Sequence, residues 1–563
     1  MKGEGGKDRI DDALAGSWHP YGWIILAGLL LYLHTLSYDF TYLDDNVLIV
    51  DNYDFLTTSS NIAQAFKEEA FHTLRRSPGF YRPLLVLSFM LDARLGGISA
   101  YSYHFTNVII HLLAACVFFA FLIRLGYARA PSLFFSLVFT VHPVLTQAVV
   151  WIPGRNDSLL AVFALAAFVS FANFLEKRKR RDYALHLLFF GLALFTKESA
   201  LLVAAMCILY LFSIARQRPF SMTTWLVAAG WAPVVLFWFF LRRSAIALPA
   251  EETIIDMGRS FITYVPAVVQ LVGKVLLPFN LSVFPTMDDT TYTYGIGAII
   301  LIAAALLLSK GKRMNYVVFG MSWFLLFLLA PFARIQARTT PDFSEHRLYM
   351  ALFGMSVVLM ETDVIKYVNA RRTGLAVSGL VVIAAFSAMT YFYSGNFRNG
   401  LAFWKNAVKA SPRFFLVHRN LGTVYQANGM LNDAIGEYKK ALALDALATK
   451  VHNNLGCIYL KKNMLKEAEA EFRKEYAVNP YSDSALVNLG LLFYKQGRAT
   501  EAEELWEKAL GVNPECIDAS RNLAIYYYER RDFNKAARYV AWLQARRVPV
   551  PREVLDTLTR GER

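Results

Sequence analysis

Apolar runs of membrane length recur along most of this chain, and they constrain its fold more than any other feature. Between Tyr21 and about Ser394, runs of about 15 to 22 residues with few charges alternate with short polar segments. A membrane-crossing helix needs about 20 mostly apolar residues. That criterion predicts spans at 21–37, 104–125, 131–150, 157–175, 183–196, 200–213, 223–241, 294–309, 316–331, 348–360 and 375–393, about 11 in all. The first run is read as an uncleaved anchor, because no small-residue cleavage site follows it and the next stretch is aromatic. Segment 261–284 is apolar but carries Lys274, Pro266, Pro278 and Pro285 close by. It is expected to be re-entrant or to lie at the interface.

The charges give the runs a direction. The net charge is +14, yet much of it stands in short clusters between apolar runs. Lys177, Arg178, Lys179, Arg180 and Arg181 form one; Lys310, Lys312 and Arg313 another; Arg371 and Arg372 a third. Cytoplasmic loops carry such excesses, so the pattern points to membrane topology and away from nucleic acid. It places the N-terminus in the cytoplasm. Residues 38–100, 151–156, 197–199, 242–293 and 332–347 then lie on the other side, together with everything after the last span. The four cysteines, Cys116, Cys207, Cys457 and Cys516, show no CxxC spacing. They read as small buried hydrophobes rather than a disulfide framework or zinc site.

After about Arg413 the chain becomes charged and repetitive. Leu421-Gly422, Leu455-Gly456, Leu489-Gly490 and Leu523-Ala524 recur every 34 residues. Each leucine is followed at fixed offsets by an aromatic (Tyr425, Tyr459, Phe493, Tyr527) and an alanine (Ala434, Ala468, Ala502, Ala536). A second aromatic follows in three copies (Tyr438, Phe472, Trp506), and Val540 departs in the fourth. This is the tetratricopeptide pattern, whose helix pairs bind peptides or proteins. Trp404, Ala407 and Pro412 keep the register one period earlier. The predicted chain is therefore all-α. It has a cytoplasmic tail 1–20, a polytopic membrane domain 21–394 with a first outer loop 38–100, and a linking half-repeat 395–415. Four repeats, 416–549, and a tail 550–563 complete it.

Ionisable residues gather on the predicted non-cytoplasmic face. They are Asp44 and Asp45 in TYLDDNV, Arg82 in YRPL, His142 in VHPVL, and Arg155 and Asp157 in PGRND. Lys197 and Glu198 follow in FTKESA, and Glu345, His346 and Arg347 in SEHRLY. Singly, each is the kind of residue that caps a helix, tips a hairpin or serves as a core hydrogen-bonder. Jointly, both signs of charge on one membrane face suit transfer from a lipid-linked phosphate. Cations hold the phosphate, and a carboxylate takes the acceptor proton. Neighbouring like charges would raise the pKa of one aspartate.

TYLDDNVLIVDN, YRPL, HPVLTQAVVWIPGRND, TKES and EHRLY, in this order ahead of tetratricopeptide repeats, resemble the transmembrane-and-tetratricopeptide-repeat proteins and their bacterial relatives. These are GT-C glycosyltransferases akin to protein O-mannosyltransferases. The resemblance implies an inner-membrane enzyme using a polyprenyl-phosphate sugar, with a protein acceptor or partner on the repeats and the need for a divalent metal left open. By position, Asp44 and Asp45 would be acceptor base and partner, and Arg82 and Arg347 would contact the donor phosphate. His142, Arg155, Lys197, Glu198, Glu345 and His346 are further candidates. Gln147 stands where the family often has glutamate. A membrane-anchored scaffold is the alternative. A transporter would need ionisable residues deep in the spans, and here most lie at their ends.

Overall fold

The structure, a computed structural model, describes residues 18–73, 79–218, 221–246, 254–333, 344–365, 372–546 and 548–560. Arg371 and most of the tail 1–20 fall outside them. No strand occurs among the described residues. The chain divides into two compact units, Met1–Ser411 and Pro412–Arg563.

The first unit runs through α1 (His19–Tyr32), α2 (Pro83–Gly96), α3 (Ala100–Arg124), α4 (Arg129–Val141) and α5 (Thr146–Val150). It continues with α6 (Arg155–Lys177), α7 (Arg180–Thr196), α8 (Leu201–Ser213), α9 (Met222–Ala245) and α10 (Ile254–Leu276). The last are α11 (Thr293–Leu308), α12 (Met314–Leu329), α13 (Leu348–Met360), α14 (Arg372–Ser394) and α15 (Gly400–Ala410). Six helical stretches are long and apolar enough to cross a bilayer: His19–Ser37, Ala100–Arg124, Ile152–Lys177, Met222–Ala245, Met314–Phe332 and Val377–Phe397. α4 with Pro143–Val150, bent by 48°, makes a seventh if counted as one span. The expectation of about 11 counted apolar runs, and some of those runs are short helices. α13 has 13 residues, ~20 Å at ~1.5 Å per residue, against a hydrocarbon core of ~30 Å. It is apolar all round because protein surrounds it: nearly every residue is buried, as expected of a helix without a polar face.

Close approach between helices rests on small residues. A Cβ on Gly320 of α12 would lie 2.7 Å from the Gly354 carbonyl oxygen of α13, so the two backbones touch there. α9 is tied in by a buried polar chain. Trp231 Nε1 donates to His186 Nε2 (2.7 Å), and His186 Nδ1 donates to the Ala167 carbonyl (2.9 Å). α10 answers the question left by segment 261–284. It is one continuous helix whose Ser260 and Tyr264 meet Phe332, while Lys274, near its other end, reaches Glu345. Phe332 follows the end of α12 and Glu345 precedes the start of α13, the same end of that helix pair. α10 therefore lies across this end of the helix pair.

Hairpin alternation puts the basic segments 124–129, 177–182, 213–218 and 309–314 at one end of the helices. Segments 38–73, 79–82, 142–157, 196–200, 277–292 and 394–400 occupy the other. At the basic end Arg313 bonds Glu361 through Nε (3.0 Å) and Nη2 (2.5 Å) and lies over the Tyr316 ring. α15, expected as a separate link, packs within the first unit. Asn406 Oδ1 accepts from Val283 N, and Trp404 faces Phe284.

The second unit holds four helix pairs: α16 (Phe415–Ala427) with α17 (Leu431–Leu444), α18 (Val451–Lys461) with α19 (Leu465–Val478), α20 (Asp483–Lys495) with α21 (Ala499–Val512), and α22 (Ile517–Glu529) with α23 (Phe533–Ala545). The 34-residue signature has a steric cause. A Cβ would come within 2.6 Å of Tyr438 at Gly422, 2.5 Å of Phe472 at Gly456 and 2.5 Å of Trp506 at Gly490. Each glycine clears space for the aromatic of its partner helix. In the fourth copy both members change: Ala524 and Val540 share one buried cluster. The small residue has grown and the large one has shrunk. The expected tail 550–563 contains instead α24 (Arg552–Arg560). Its Val554 joins the Ala524–Val540 cluster and covers the apolar edge that a terminal repeat otherwise exposes.

Candidate functional site

Pro83 starts α2, where the missing N–H costs nothing, and Arg82 is the residue before it. Its guanidinium lies 4.1 Å over the Phe80 ring and 3.6 Å from Glu198 Oε1. Glu198 and Lys197 form the turn after α7. Lys197 Nζ donates to Asp157 Oδ1 (2.6 Å) and Asn156 Oδ1 (3.3 Å) in the first turn of α6. A cation at a helix C-terminus facing an anion at a helix N-terminus suits both helix dipoles. Burial pulls the Lys197 pKa down, against the opposing pull of Asp157. Asp157 Oδ2 lies 3.9 Å from His346 Nε2, and the His346 ring faces Trp151 at 5.5 Å. Arg347 follows, 5.6 Å over Phe332. Arg82, Glu198, Lys197, Asp157 and His346 thus form one chain of contacts drawn from four distant segments.

Three N–H groups here are buried without an acceptor among the described residues: Arg82 Nε, Arg347 Nη1 and Trp151 Nε1. An unpaired buried donor costs about 1–3 kcal/mol, more when charged. An anion would satisfy either arginine donor.

The first outer loop packs on α2. Phe40, Leu48, Ile49 and Leu56 share a core with Leu85, Val86, Phe89 and Met90. The two aspartates of this loop part company. Asp44 is half-exposed. Asp45 is fully buried, its Oδ2 accepting from Thr41 N (2.6 Å) and Thr41 Oγ1 (2.5 Å). Burial pushes its pKa up to about 6, so burial, more than a neighbouring charge, raises this carboxyl. Asp45 holds the turn, and Asp44 keeps partial access to solvent.

Three other expected site residues are consumed inside the protein. Arg155 is completely buried. It pairs with Asp92 Oδ2 (2.6 Å) and donates to Asn107 Oδ1 (2.6 Å), Ser88 Oγ (3.0 Å) and the Tyr103 carbonyl (2.8 Å). These four contacts and its complete burial close it off from a phosphate. His142 is a crosslink: Nε2 donates to the Val275 carbonyl (3.0 Å) and Nδ1 accepts from Val144 N (3.2 Å). Glu345 accepts from Lys274 Nζ (2.7 Å), Ser282 N (2.8 Å) and Tyr393 OH (3.0 Å). It anchors the chain immediately before His346 and Arg347. Gln147 uses both amide ends, donating to the Val283 carbonyl (3.1 Å) and accepting from His346 N (3.2 Å). A glutamate here would lose the first bond.

Asp157, at the end of the PGRND motif, is central to the cluster. Its partners lie 40 residues away and beyond, so no local signal marks it.

The tetratricopeptide repeat family model matches residues 387–448, 419–485 and 487–548. Curated relatives extend the likeness into the membrane unit. The protein O-mannosyl-transferase F38B6.6 of Caenorhabditis elegans is 25% identical over 443 residues, 74% of this chain and 61% of the worm protein. Protein O-mannosyl-transferase Tmtc1 of Drosophila melanogaster is 33% identical over 181 residues, 32% of this chain and 21% of the fly protein. Human protein O-mannosyl-transferase TMTC2 is 37% identical over 150 residues, 26% of this chain and 17% of the human protein. The match spans three fifths of the worm protein and about a fifth of the others. These homologues carry the family name that the ordered motifs suggested.

Proposed function

We propose that the membrane unit is a GT-C glycosyltransferase of the protein O-mannosyltransferase kind. It moves a sugar from a polyprenyl phosphate to an acceptor hydroxyl, with the repeats holding a protein acceptor or partner. The observation that carries this reading is the buried Arg82 Nε without an acceptor among the described residues, in the chain of contacts through Glu198 and Lys197 to Asp157, at the end of the helices opposite the basic loops. That end would face away from the cytoplasm, as the positive-inside rule has it.

In this reading the donor phosphate sits among Arg82, Arg347 and Lys197. Glu198 swings off Arg82 as phosphate replaces it; at 3.6 Å and partly exposed, that ion pair is weak. The acceptor oxygen attacks the anomeric carbon while the bond from that carbon to the phosphate oxygen breaks. The acceptor proton passes to the Asp44 carboxylate, and polyprenyl phosphate leaves with its negative charge held by the guanidiniums. A single displacement inverts the anomeric centre.

The test uses proteoliposomes given radiolabelled polyprenyl-phosphate mannose and a hydroxyl-bearing peptide. Asp44→Asn should lower transfer about 10²- to 10⁴-fold, the usual contribution of a general base. Asp45→Asn should retain most of it, and Arg82→Ala should raise the donor KM. Transfer that survives Asp44→Asn removes that residue as the base. Absence of transfer by the wild type with several polyprenyl-phosphate sugars would favour the scaffold.

A further inference from the structure

The repeats carry a further period that the packing within each helix pair does not use. Asn420, Asn454, Asn488 and Asn522 each stand immediately before the Leu-Gly or Leu-Ala pair, 34 residues apart. They lie on the first helix of each pair, α16, α18, α20 and α22, and all four are half-exposed. The glycines and aromatics fill the space inside a pair, whereas the asparagines reach the pair before. Asn454 Nδ2 donates to Tyr438 OH (3.1 Å) and Thr423 Oγ1 (3.4 Å). Asn488 Nδ2 donates to Asn453 Oδ1 (2.9 Å) and Cys457 Sγ (3.4 Å). In both, the amide nitrogen fixes the orientation of the group and the carbonyl oxygen takes no part in these bonds.

Internal bonding does not account for the period. The acceptors Thr423 and Cys457 become Leu491 in the third repeat, and Asn453 becomes Val487. Neither side chain can accept from the asparagine that follows, Asn522, so the amide persists where its internal acceptors have gone. Three residues beyond each asparagine, and so on the same side of its helix, stand Thr423, Cys457, Leu491 and Ile525, none of them charged. Beside the first asparagine, the half-buried Arg419 spends its Nε and Nη2 on a neutral acceptor, Asn420 Oδ1 (3.2 Å each). A guanidinium in such a place gains from a carboxylate.

We infer that this face of the first helices binds an extended peptide segment by its main chain, with one carboxylate of the segment on Arg419. A side-chain amide offers the donor and the acceptor that a peptide group offers, and an extended segment leaves its own N–H and C=O groups in need of partners. The asparagine oxygens accept from the N–H groups of the segment. The uncharged row of Thr423, Cys457, Leu491 and Ile525 tolerates varied side chains, and stacked repeats present a continuous surface of this kind. The inference rests on, and deepens, the proposed role of the repeats in holding a protein; it requires no sugar transfer.

The experiment probes the full-length protein in detergent, without donor sugar, on an array of short random-sequence peptides with and without an aspartate. The wild type should bind many unrelated sequences, those with aspartate more tightly. Asn454→Ala with Asn488→Ala should weaken every bound sequence by a common factor, about fivefold per asparagine, the net worth of one hydrogen bond. Arg419→Gln should weaken only the aspartate-bearing peptides. Asn522→Ala serves if the double variant does not fold, and thermal melts by circular dichroism check each variant. A bound peptide remade with main-chain N-methyl groups should bind poorly. Equal binding of the methylated peptide, losses confined to a few sequences, unchanged binding in the asparagine variants, or no peptide bound by the wild type each overturn the inference. Because binding is read apart from transfer, either can fail while the other stands.

Discussion

Replacing Arg155 by methionine separates a strut from a phosphate ligand. Arg155 and Asp92 are 0% and 1% exposed as side chains, and the Arg155 guanidinium also serves Asn107, Ser88 and the Tyr103 carbonyl. Asn107 in turn donates to the Val149 carbonyl, so the Arg155 pair pins segment 149–155 to α2 and α3. Removing the guanidinium leaves the Asp92 carboxylate buried and uncompensated. Breaking a buried pair from one side costs about 3–5 kcal/mol, roughly 10²- to 5 × 10³-fold in the unfolding equilibrium. The double change Arg155→Met with Asp92→Leu should recover most of that loss, because an apolar pair can replace a buried ion pair at little cost. Thr106, which donates to Asp92, keeps the recovery incomplete by about 1 kcal/mol. Denaturant unfolding of the purified protein in detergent, followed by tryptophan fluorescence, reads all three variants. An Arg155→Met protein that unfolds at the wild-type midpoint but binds the phosphate-bearing donor poorly would refute the strut.

Three further outcomes follow from the same structure. Gly490→Ala drives a methyl into Trp506 and should cost about 1–3 kcal/mol; adding Trp506→Val recreates the Ala524–Val540 pairing and should restore much of the thermal stability seen by circular dichroism. The His418–Glu437 pair (2.6 Å) makes the repeats pH-sensitive. Burial opposes the His418 charge, yet the bonds to Glu437 and the Pro412 carbonyl win and its pKa ends above 6.5. This stabilisation is complete below 6.5 and is lost as pH rises through the raised value. Burial likewise opposes the Glu437 charge, but His418 and Lys440 hold its pKa below 4.5. That contribution is present above 4.5 and fades as pH falls through the lowered value. Thermal melts should show a plateau between these limits, and His418→Asn should lose it on the alkaline side. Asp45, with a pKa near 6 against 3.8 in the open chain, stabilises the fold when protonated and loses that stabilisation as pH rises through about 6. The difference is worth ~3 kcal/mol, so Asp45→Asn should flatten the stability profile between pH 4 and 7; an unchanged slope would show that the buried carboxyl does not titrate there.

Much of the architecture was legible along the chain because its signals are local. Apolar runs, basic clusters and a 34-residue period each declare themselves within a few dozen residues, and α10 was suspect because Lys274 sat in an apolar run. The span count was less legible, since a helix buried by protein and a helix bathed in lipid look alike in composition, as α13 shows. The site was half legible. Arg82, Lys197, Glu198 and His346 do converge, whereas Arg155, His142 and Glu345 come from the same conspicuous motifs and work as internal supports.

Sequence by itself determined that this chain is helical, built for a membrane and ended by a repeat array, and that charge collects at the ends of its apolar helices. Tertiary structure alone decided which of those charges are used up. Lys274 finds Glu345 and Lys197 finds Asp157 across many intervening residues, and burial separates Asp45 from its neighbour Asp44. Periodicity is written in short windows; a side chain's partner and its access to water depend on segments that meet only after the helices have packed.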